Sequence, residues 1–387
     1  MVRPAERVKG RTKMSLRKST YVAAVAAVAL MLGMSACSAS RTTDTGGSAA
    51  SGAAGGLIGI AMPTKSLERW NKDGAHLEEL LKKAGYTTTL QYADNKVDQQ
   101  ITQIQNMINQ NPKVLVIASI DGTALAPVLA TAATNGIKVI AYDRLINGTQ
   151  NVDYYATFDN YKVGTLQGQY IEEKLGLKDG KGPFNLEPFA GSPDDNNAKF
   201  FFSGAWDVLQ PYVKSGQLVV KSGKAPASDA EWASIGVQGW SSDTAQSEMQ
   251  NRLNSFYATD KVNVVLSPND SLALGIEQAF DGAGYKVGAD WPIVTGQDAD
   301  KANTVNLLAG KQDMTVWKDT RALGDQVAIM IDQIVKGSTV AVNDTKTYDN
   351  DKKVVPTFLL PPVVVTKDTV KKTLVDSGFY TTADLGL

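Results

Sequence analysis

An alternation of short apolar runs with amphipathic stretches, repeated from Leu57 almost to the carboxyl end, limits this chain to few folds. Leu57–Met62, Thr88–Tyr92, Val114–Ala118 and Lys138–Tyr142 carry the compact apolar signature of buried strands. Between them lie apolar residues at helical spacing, Leu67, Trp70, Leu77 and Leu81 in one stretch and Ile101, Ile104 and Ile108 in the next. Strand, helix and strand at this spacing give right-handed crossovers and a parallel sheet. A second series follows, with strands expected at Phe184–Phe189, Leu218–Lys221, Val262–Leu266 and Ile293–Thr295 and helices near Asn197–Lys214, Thr244–Tyr257 and Leu272–Ala283. The fold class is therefore α/β, with two doubly wound parallel-sheet lobes and no short-period repeat. Gly85, Gly136, Gly284 and Gly337 follow helical stretches, where a left-handed cap is needed.

The amino-terminal segment reads as an export signal. Basic residues from Arg3 to Lys18 precede the apolar run Val22–Leu32, and Met34-Ser35-Ala36-Cys37 follows. Residues 1–36 are expected to be a signal peptide, with Met14 a second possible start of translation. Cys37 is the only cysteine, so it has no internal disulfide partner. Its place makes it look like the lipid-bearing cysteine of a bacterial lipoprotein; the other reading is an unpaired cysteine in an ordinary signal. Residues 37–56 form a Ser/Gly/Ala/Thr tether. No later apolar run approaches the roughly 20 residues that span a bilayer. The expected product is exported and held at the outer face of the cell membrane through its lipid alone.

The stretch after Leu57 exceeds the roughly 250–300 residues over which one core keeps growing, which again points to two lobes. Net charge is −1, with Lys+Arg 39 against Asp+Glu 40. No basic block occurs beyond the signal, so nucleic acid is excluded as a partner.

In open parallel sheets, ligands sit outside the carboxyl ends of the strands. Polar groups stand at those ends in succession: Lys65, Glu68, Arg69 and Trp70; Asp143 and Arg144; Asp194 to Asn197; Asn269 and Asp270; Gln297 and Asp298; and Lys318 after Met314–Trp317. Each has a structural reading beside the functional one. Asp195 and Asp270 suit helix N-caps, Asp143 and Arg144 suit a mutual ion pair, and Trp70 and Trp240 suit a core. Taken together, the groups match a monosaccharide. Carboxylates and amides accept from hydroxyls, Arg and Lys donate to oxygens, and Trp offers a flat face to ring C–H groups.

Catalysis is poorly supported. His76, the only histidine, lies in the first helical stretch, and a Ser-His or Cys-His device or a histidine-bearing metal site has too few parts. Paired carboxylates for glycoside hydrolysis would have to come from Asp143, Asp195, Asp298 and Glu68, but flanking cations would keep them ionised where a general acid needs a raised pKa. No enzyme activity, cofactor or metal is expected.

Six segments carry a family resemblance: Gly59 to Lys65, Ala118 to Thr123, Ile140 to Ile146, Gly191 to Ala198, Gly296 to Ala299 and Val342 to Tyr348. They resemble the periplasmic sugar-binding proteins of ABC importers, in the branch of xylose-binding proteins and multiple sugar-binding receptors. The resemblance implies a type I periplasmic binding protein with a three-segment hinge near Tyr155–Asn160, Gly296–Lys301 and Val354–Leu360. Residues 57–158 and 299–356 would form the amino-terminal lobe, and 159–298 and 357–387 the carboxy-terminal one. It also implies sugar contacts at Lys65, Arg69, Trp70, Asp143, Arg144, Asn196, Asn197, Asn269, Asp298 and Lys318, with Trp240 stacking. The implied partners are a monosaccharide, an ABC permease and a chemoreceptor or sensor, with the protein a monomer. A secreted sugar-processing enzyme on the same fold is the alternative.

Overall fold

β1 (Leu57–Met62), β3 (Val114–Ile117) and β4 (Lys138–Tyr142) are apolar on both faces, and their alternation builds two cores at once. Ile58, Ile60, Met62, Val114, Val116, Ile140 and Tyr142 pack on one side of the sheet. Ala61, Leu115, Ile117, Val139 and Ala141 pack on the other. The computed structural model describes residues 55–387. The expected signal peptide, the lipidation site at Cys37 and nearly all of the tether lie outside the described residues. Among those residues, no helix is long and apolar enough to cross a membrane.

The first sheet adds β2 (Thr87–Tyr92), β5 (Tyr154–Phe158) and β11 (Thr357–Leu360) in the order β11-β5-β4-β3-β1-β2, all parallel. Helices α1 (Glu68–Lys83), α2 (Val97–Ile108) and α3 (Ala126–Thr134) connect its strands. The second sheet runs β7-β6-β8-β9, from Leu218–Val219, Phe184–Pro188, Val264–Leu266 and Ile293–Val294. Around it lie α4 (Asn160–Leu175), α5 (Asn196–Ser215), α6 (Ser242–Phe256) and α7 (Asp270–Gly282). α4 and α5 meet backbone to backbone, since a Cβ at Gly164 would stand 1.8 Å from the Phe201 carbonyl oxygen. The four glycines predicted as left-handed caps all have positive φ.

Strand pairing departs from the expected lobe limits at two places. β10 (Met314–Trp317), expected in the amino-terminal lobe, continues the second sheet: Asp313 N donates to Val294 O at 3.0 Å and Val316 N to Gly296 O at 3.0 Å. Met314 and Val316 share a core with Phe189 and Val265. β10 then pairs antiparallel with β12 (Val363–Thr366). After α8 (Lys301–Ala309), the chain returns to the first lobe only with α9 (Thr320–Val335), whose Leu323, Val327 and Met330 pack against the β1 side. β11, beyond the expected limit at residue 356, is a strand of the first sheet. The three crossings therefore fall at β5–α4, β10–α9 and β11–β12. Crossing segments and edge strands share the same extended, half-apolar composition, so the pattern of apolar residues did not separate them. The short helix α10 (Thr382–Leu385) closes the chain.

Candidate functional site

The carboxyl ends of both sheets face one cleft. α1 brings Arg69 and Trp70 to it, the turn after β4 brings Asp143 and Arg144, and the start of α5 brings Asp195, Asn197 and Phe201. Trp240, Asn269, Gln297, Asp298 and Lys318 complete the wall, with Leu67 at its edge.

Ion pairs run through the cleft and across the lobes. Arg69 Nη2 lies 2.8 Å from Asp143 Oδ2, its Nε donates to Asp73 Oδ2 at 3.1 Å, and its Nη1 reaches Asp298 Oδ1 at 3.4 Å. Lys318 Nζ stands 3.1 Å from the same Asp298 oxygen. Arg144 Nε is 2.9 Å from Asp195 Oδ2 without an aligned N–H, so this contact is an ion pair rather than a directed hydrogen bond. Trp240 Nε1 also donates to Asp195 Oδ2, at 3.2 Å.

The backbone is held in unusual conformations where it presents these groups. Asp143, Trp240 and Asp298 have φ of 62°, 55° and 96°, in a region that costs energy for residues other than glycine. Three donors secure the first: the Asp143 carbonyl accepts from Tyr155 Oη at 2.7 Å, Thr157 Oγ1 at 2.9 Å and Asn197 Nδ2 at 2.7 Å. Gly191 makes room for Trp240, whose Cη2 would stand 2.0 Å from any Cβ there.

Burial and charge act against each other in this site. Burial pushes the Asp143 carboxyl up, but Arg69, Lys318 and Arg144 outweigh it and hold its pKa below the usual value. At Asp195, against the expectation that flanking cations prevent a raised pKa, burial wins over Arg144 and the Asn197 N–H, and the pKa is raised. At Arg69 burial opposes the charge, and Asp143, Asp73 and Asp298 together raise the pKa well above the ordinary one. Trp70 stacks its face under two guanidinium groups, 4.4 Å from Arg69 Cζ and 5.1 Å from Arg144 Cζ. Its buried Nε1 has no partner.

Of the expected contacts, Arg69, Trp70, Asp143, Arg144, Asn197, Trp240, Asn269, Asp298 and Lys318 converge on the cleft. Lys65 does not line it; this side chain is exposed and lies 5.0 Å from the Tyr92 ring centre. Asn196 faces a separate surface groove with Asp121 and Trp232, because α5 turns successive residues in different directions. Asp195, Gln297, Phe201 and Leu67 line the cleft without having been assigned as contacts. Phe201 could have been found, since it lies one helical turn after Asn197 on the same face.

The structural readings resolve case by case. Asp195 is the N-cap of α5, accepting from Asn197 N at 2.9 Å, and also lines the cleft. Asn269, not Asp270, caps α7, accepting from Leu272 N at 3.0 Å; an N-cap needs extended backbone, and Asp270 is already helical. Asp143 and Arg144 pair with Arg69 and Asp195 rather than with each other. Trp70 and Trp240 are both core and cleft residues. His76 is an α1 residue 3.0 Å from Asp325 of α9. Glu68 stays out of the cleft that Asp143, Asp195 and Asp298 share. Among the described residues, no cluster of potential ligands is suited to a metal ion.

Two parallel-sheet lobes around a polar cleft, with side chains from each paired across it, define a solute-binding protein of the type I architecture. Residues 58–339 match the periplasmic binding protein domain, and the chain belongs to that family. The multiple sugar-binding periplasmic protein SbpA of Azospirillum brasilense is 53% identical over 327 residues, 84% of this chain and 90% of its own. The multiple sugar-binding periplasmic receptor ChvE of Rhizobium radiobacter is 51% identical over 326 residues, 84% of this chain and 91% of its own. An ABC transporter solute-binding protein from Clostridium phytofermentans with bound β-D-glucose matches with a TM-score of 0.81 at 54% identity, over 85% of this chain and 99% of that one. These relatives are binding proteins, and they lend the enzyme alternative no support.

Proposed function

We propose that this protein is an extracytoplasmic solute-binding lipoprotein that captures a monosaccharide aldose, such as xylose, arabinose, galactose or glucose, and delivers it to an ABC permease. One observation carries the choice of ligand class: Arg69, Arg144 and Lys318 each already face a cleft carboxylate. An anionic solute would have to displace Asp143, Asp195 or Asp298 to reach a cation. A neutral polyol instead uses both signs, donating to the carboxylates and accepting from the cations through charge-assisted bonds. Trp70, Phe201 and Trp240 add apolar faces for its C–H groups. The sugars named for the relatives point to the same class.

The contact set we propose is Arg69, Trp70, Asp143, Arg144, Asp195, Asn197, Trp240, Asn269, Asp298 and Lys318. The lobes are residues 57–158 with 320–360 and residues 160–317 with 363–387. A sugar touching both favours the closed state in proportion to its preference for it, a hinge closure at the three crossings. Cys37 carries the lipid, the protein acts as a monomer, and a membrane sensor is a second partner of the closed form.

Calorimetric titration with D-xylose, L-arabinose, D-galactose, D-glucose and D-ribose tests this reading. The expected result is one-to-one binding of at least one aldose with Kd below about 10 μM, roughly −7 kcal/mol, and the sugar recovered unchanged. No binding, or turnover, overturns it.

A further inference from the structure

We infer that Gln297 accepts a hydrogen bond from one hydroxyl of the bound solute and so sets which hydroxyl the protein requires; this rests on the monosaccharide reading above. Gln297 follows β9, bridges to Val316 of β10, and is 1% exposed while lining the cleft. Its backbone oxygen accepts from Asp270 N at 2.9 Å, which ties the residue to the start of α7. Its side-chain Nε2 donates to the Pro268 carbonyl oxygen at 3.3 Å. Gln167 Nε2 donates to that same oxygen, also at 3.3 Å. Reversing the Gln297 amide would set oxygen against oxygen, so the orientation with Nε2 toward Pro268 is held.

Oε1 is then left buried and without a partner. A buried carbonyl oxygen in that state carries a free-energy penalty that a donor removes. Asp143, Asp195 and Asp298 are engaged by protein cations, whereas Gln297 Oε1 is a neutral acceptor with no protein donor to compete with. A solute hydroxyl placed there gains a bond without breaking one. A solute lacking that hydroxyl leaves Oε1 as it is now, and this difference is the source of discrimination.

The test titrates the purified protein with the tightest-binding of the five aldoses named above and with its monodeoxy analogues, then repeats the series with Gln297→Met and Gln297→Glu. The wild type is expected to bind one analogue about tenfold more weakly than the parent sugar, a difference of about 1.4 kcal/mol. Gln297→Met, similar in shape but lacking the acceptor, is expected to bind that analogue and the parent within about twofold of each other while discriminating against the other analogues as before. Gln297→Glu, kept neutral by burial, donates its carboxyl proton to the Pro268 carbonyl in place of Nε2 and keeps the other oxygen as an acceptor of the same reach. It is therefore expected to retain the wild-type pattern, which keeps the inference testable if the Met variant fails to fold. The same discrimination pattern in wild type and Gln297→Met, or loss of it in a folded Gln297→Glu, overturns the inference and leaves sugar binding standing. Absence of binding by the wild type to every aldose overturns both.

Discussion

Arg144 and Asp195 meet across the cleft, Nε to Oδ2 at 2.9 Å, the arginine from the end of β4 in one lobe and the aspartate from the start of α5 in the other. Both side chains are buried, and neither lobe alone completes the pair. Removing one partner of a buried pair leaves an uncompensated charge, at a cost of about 3–5 kcal/mol. Asp195→Ala is therefore expected to weaken sugar binding at least ~100-fold, and to lower thermal stability as well through loss of the α5 cap. Titration calorimetry with the preferred aldose checks this; binding within a few-fold of wild type would show that the pair does not hold the closed state.

Trp240 depends on the glycine beneath it. A methyl group at Gly191 would come 2.0 Å from Trp240 Cη2, so Gly191→Ala displaces the indole from its place between Phe201 and the cleft. The ring centres of Phe201 and Trp240 are 6.3 Å apart. The variant is expected to lose sugar affinity by about tenfold or more, consistent with an overpacking cost of about 1–3 kcal/mol, and to show a changed tryptophan emission spectrum. Unchanged emission and affinity would mean that the ring has another stable position.

Much of this site was legible from the sequence because strand ends are where parallel sheets bind ligands, and the polar residues there are adjacent in sequence to strong strand signals. Asp143, Arg144 and Asp298 were found in that way. Lys65 and Asn196 were not separated from their neighbours, because adjacency in sequence does not say which way a side chain turns: Lys65 precedes the first turn of α1, and Asn196 opens α5 beside Asn197. Phe201 and Leu67 carry no polar signal at all. β10 and β11 read as one strand and one crossing, yet they lie in different sheets, a matter of long-range pairing that local composition does not encode.

Lys65 gives a direct check on that distinction. It is exposed, and its ammonium lies over Tyr92 rather than in the cleft. Lys65→Ala is expected to bind the preferred aldose within about twofold of wild type, as surface substitutions ordinarily do. A loss of tenfold or more would place Lys65 in the bound complex through a further closing movement.

Glu277, far from any role in the cleft, is expected to shape the pH dependence of stability. It is 1% exposed in α7, accepts from Asn306 Nδ2 at 2.5 Å through Oε2, and leaves Oε1 unpaired. Burial pushes its pKa up from 4.5 to about 8, against the pull of Asn306 and Lys311. The folded protein thus binds one more proton than the unfolded chain between those values, and stability from this residue falls as pH rises from 4.5 to about 8. Glu277→Gln is expected to raise the melting temperature above pH 8 and to leave it unchanged below pH 4.5. Parallel melting curves for wild type and variant across that range would exclude the assignment.

Outside the ligand set, Glu68 fastens the two lobes to each other. From the first turn of α1 its Oε2 accepts from Lys301 N, at the start of α8, at 3.1 Å, and its Oε1 lies 3.3 Å from Tyr380 Oη. Tyr380 donates to the Ala299 carbonyl at 2.9 Å and accepts from Lys72 Nζ at 2.9 Å. Ala299 directly follows Asp298, so this clasp closes over the same turn that presents a cleft carboxylate. Glu68 does not line the cleft; apart from its ion pair with Lys72 one turn along α1 at 2.6 Å, its contacts with Lys301 and Tyr380 join one lobe to the other. Glu68→Ala is expected to weaken binding of every accepted aldose by a similar factor, about three- to tenfold for hydrogen bonds worth about 1 kcal/mol, mainly through faster dissociation. The order of preference among the sugars is expected to stay as in the wild type. Stopped-flow displacement measures the dissociation rate, and a change in preference without a change in that rate would assign Glu68 to recognition instead of closure.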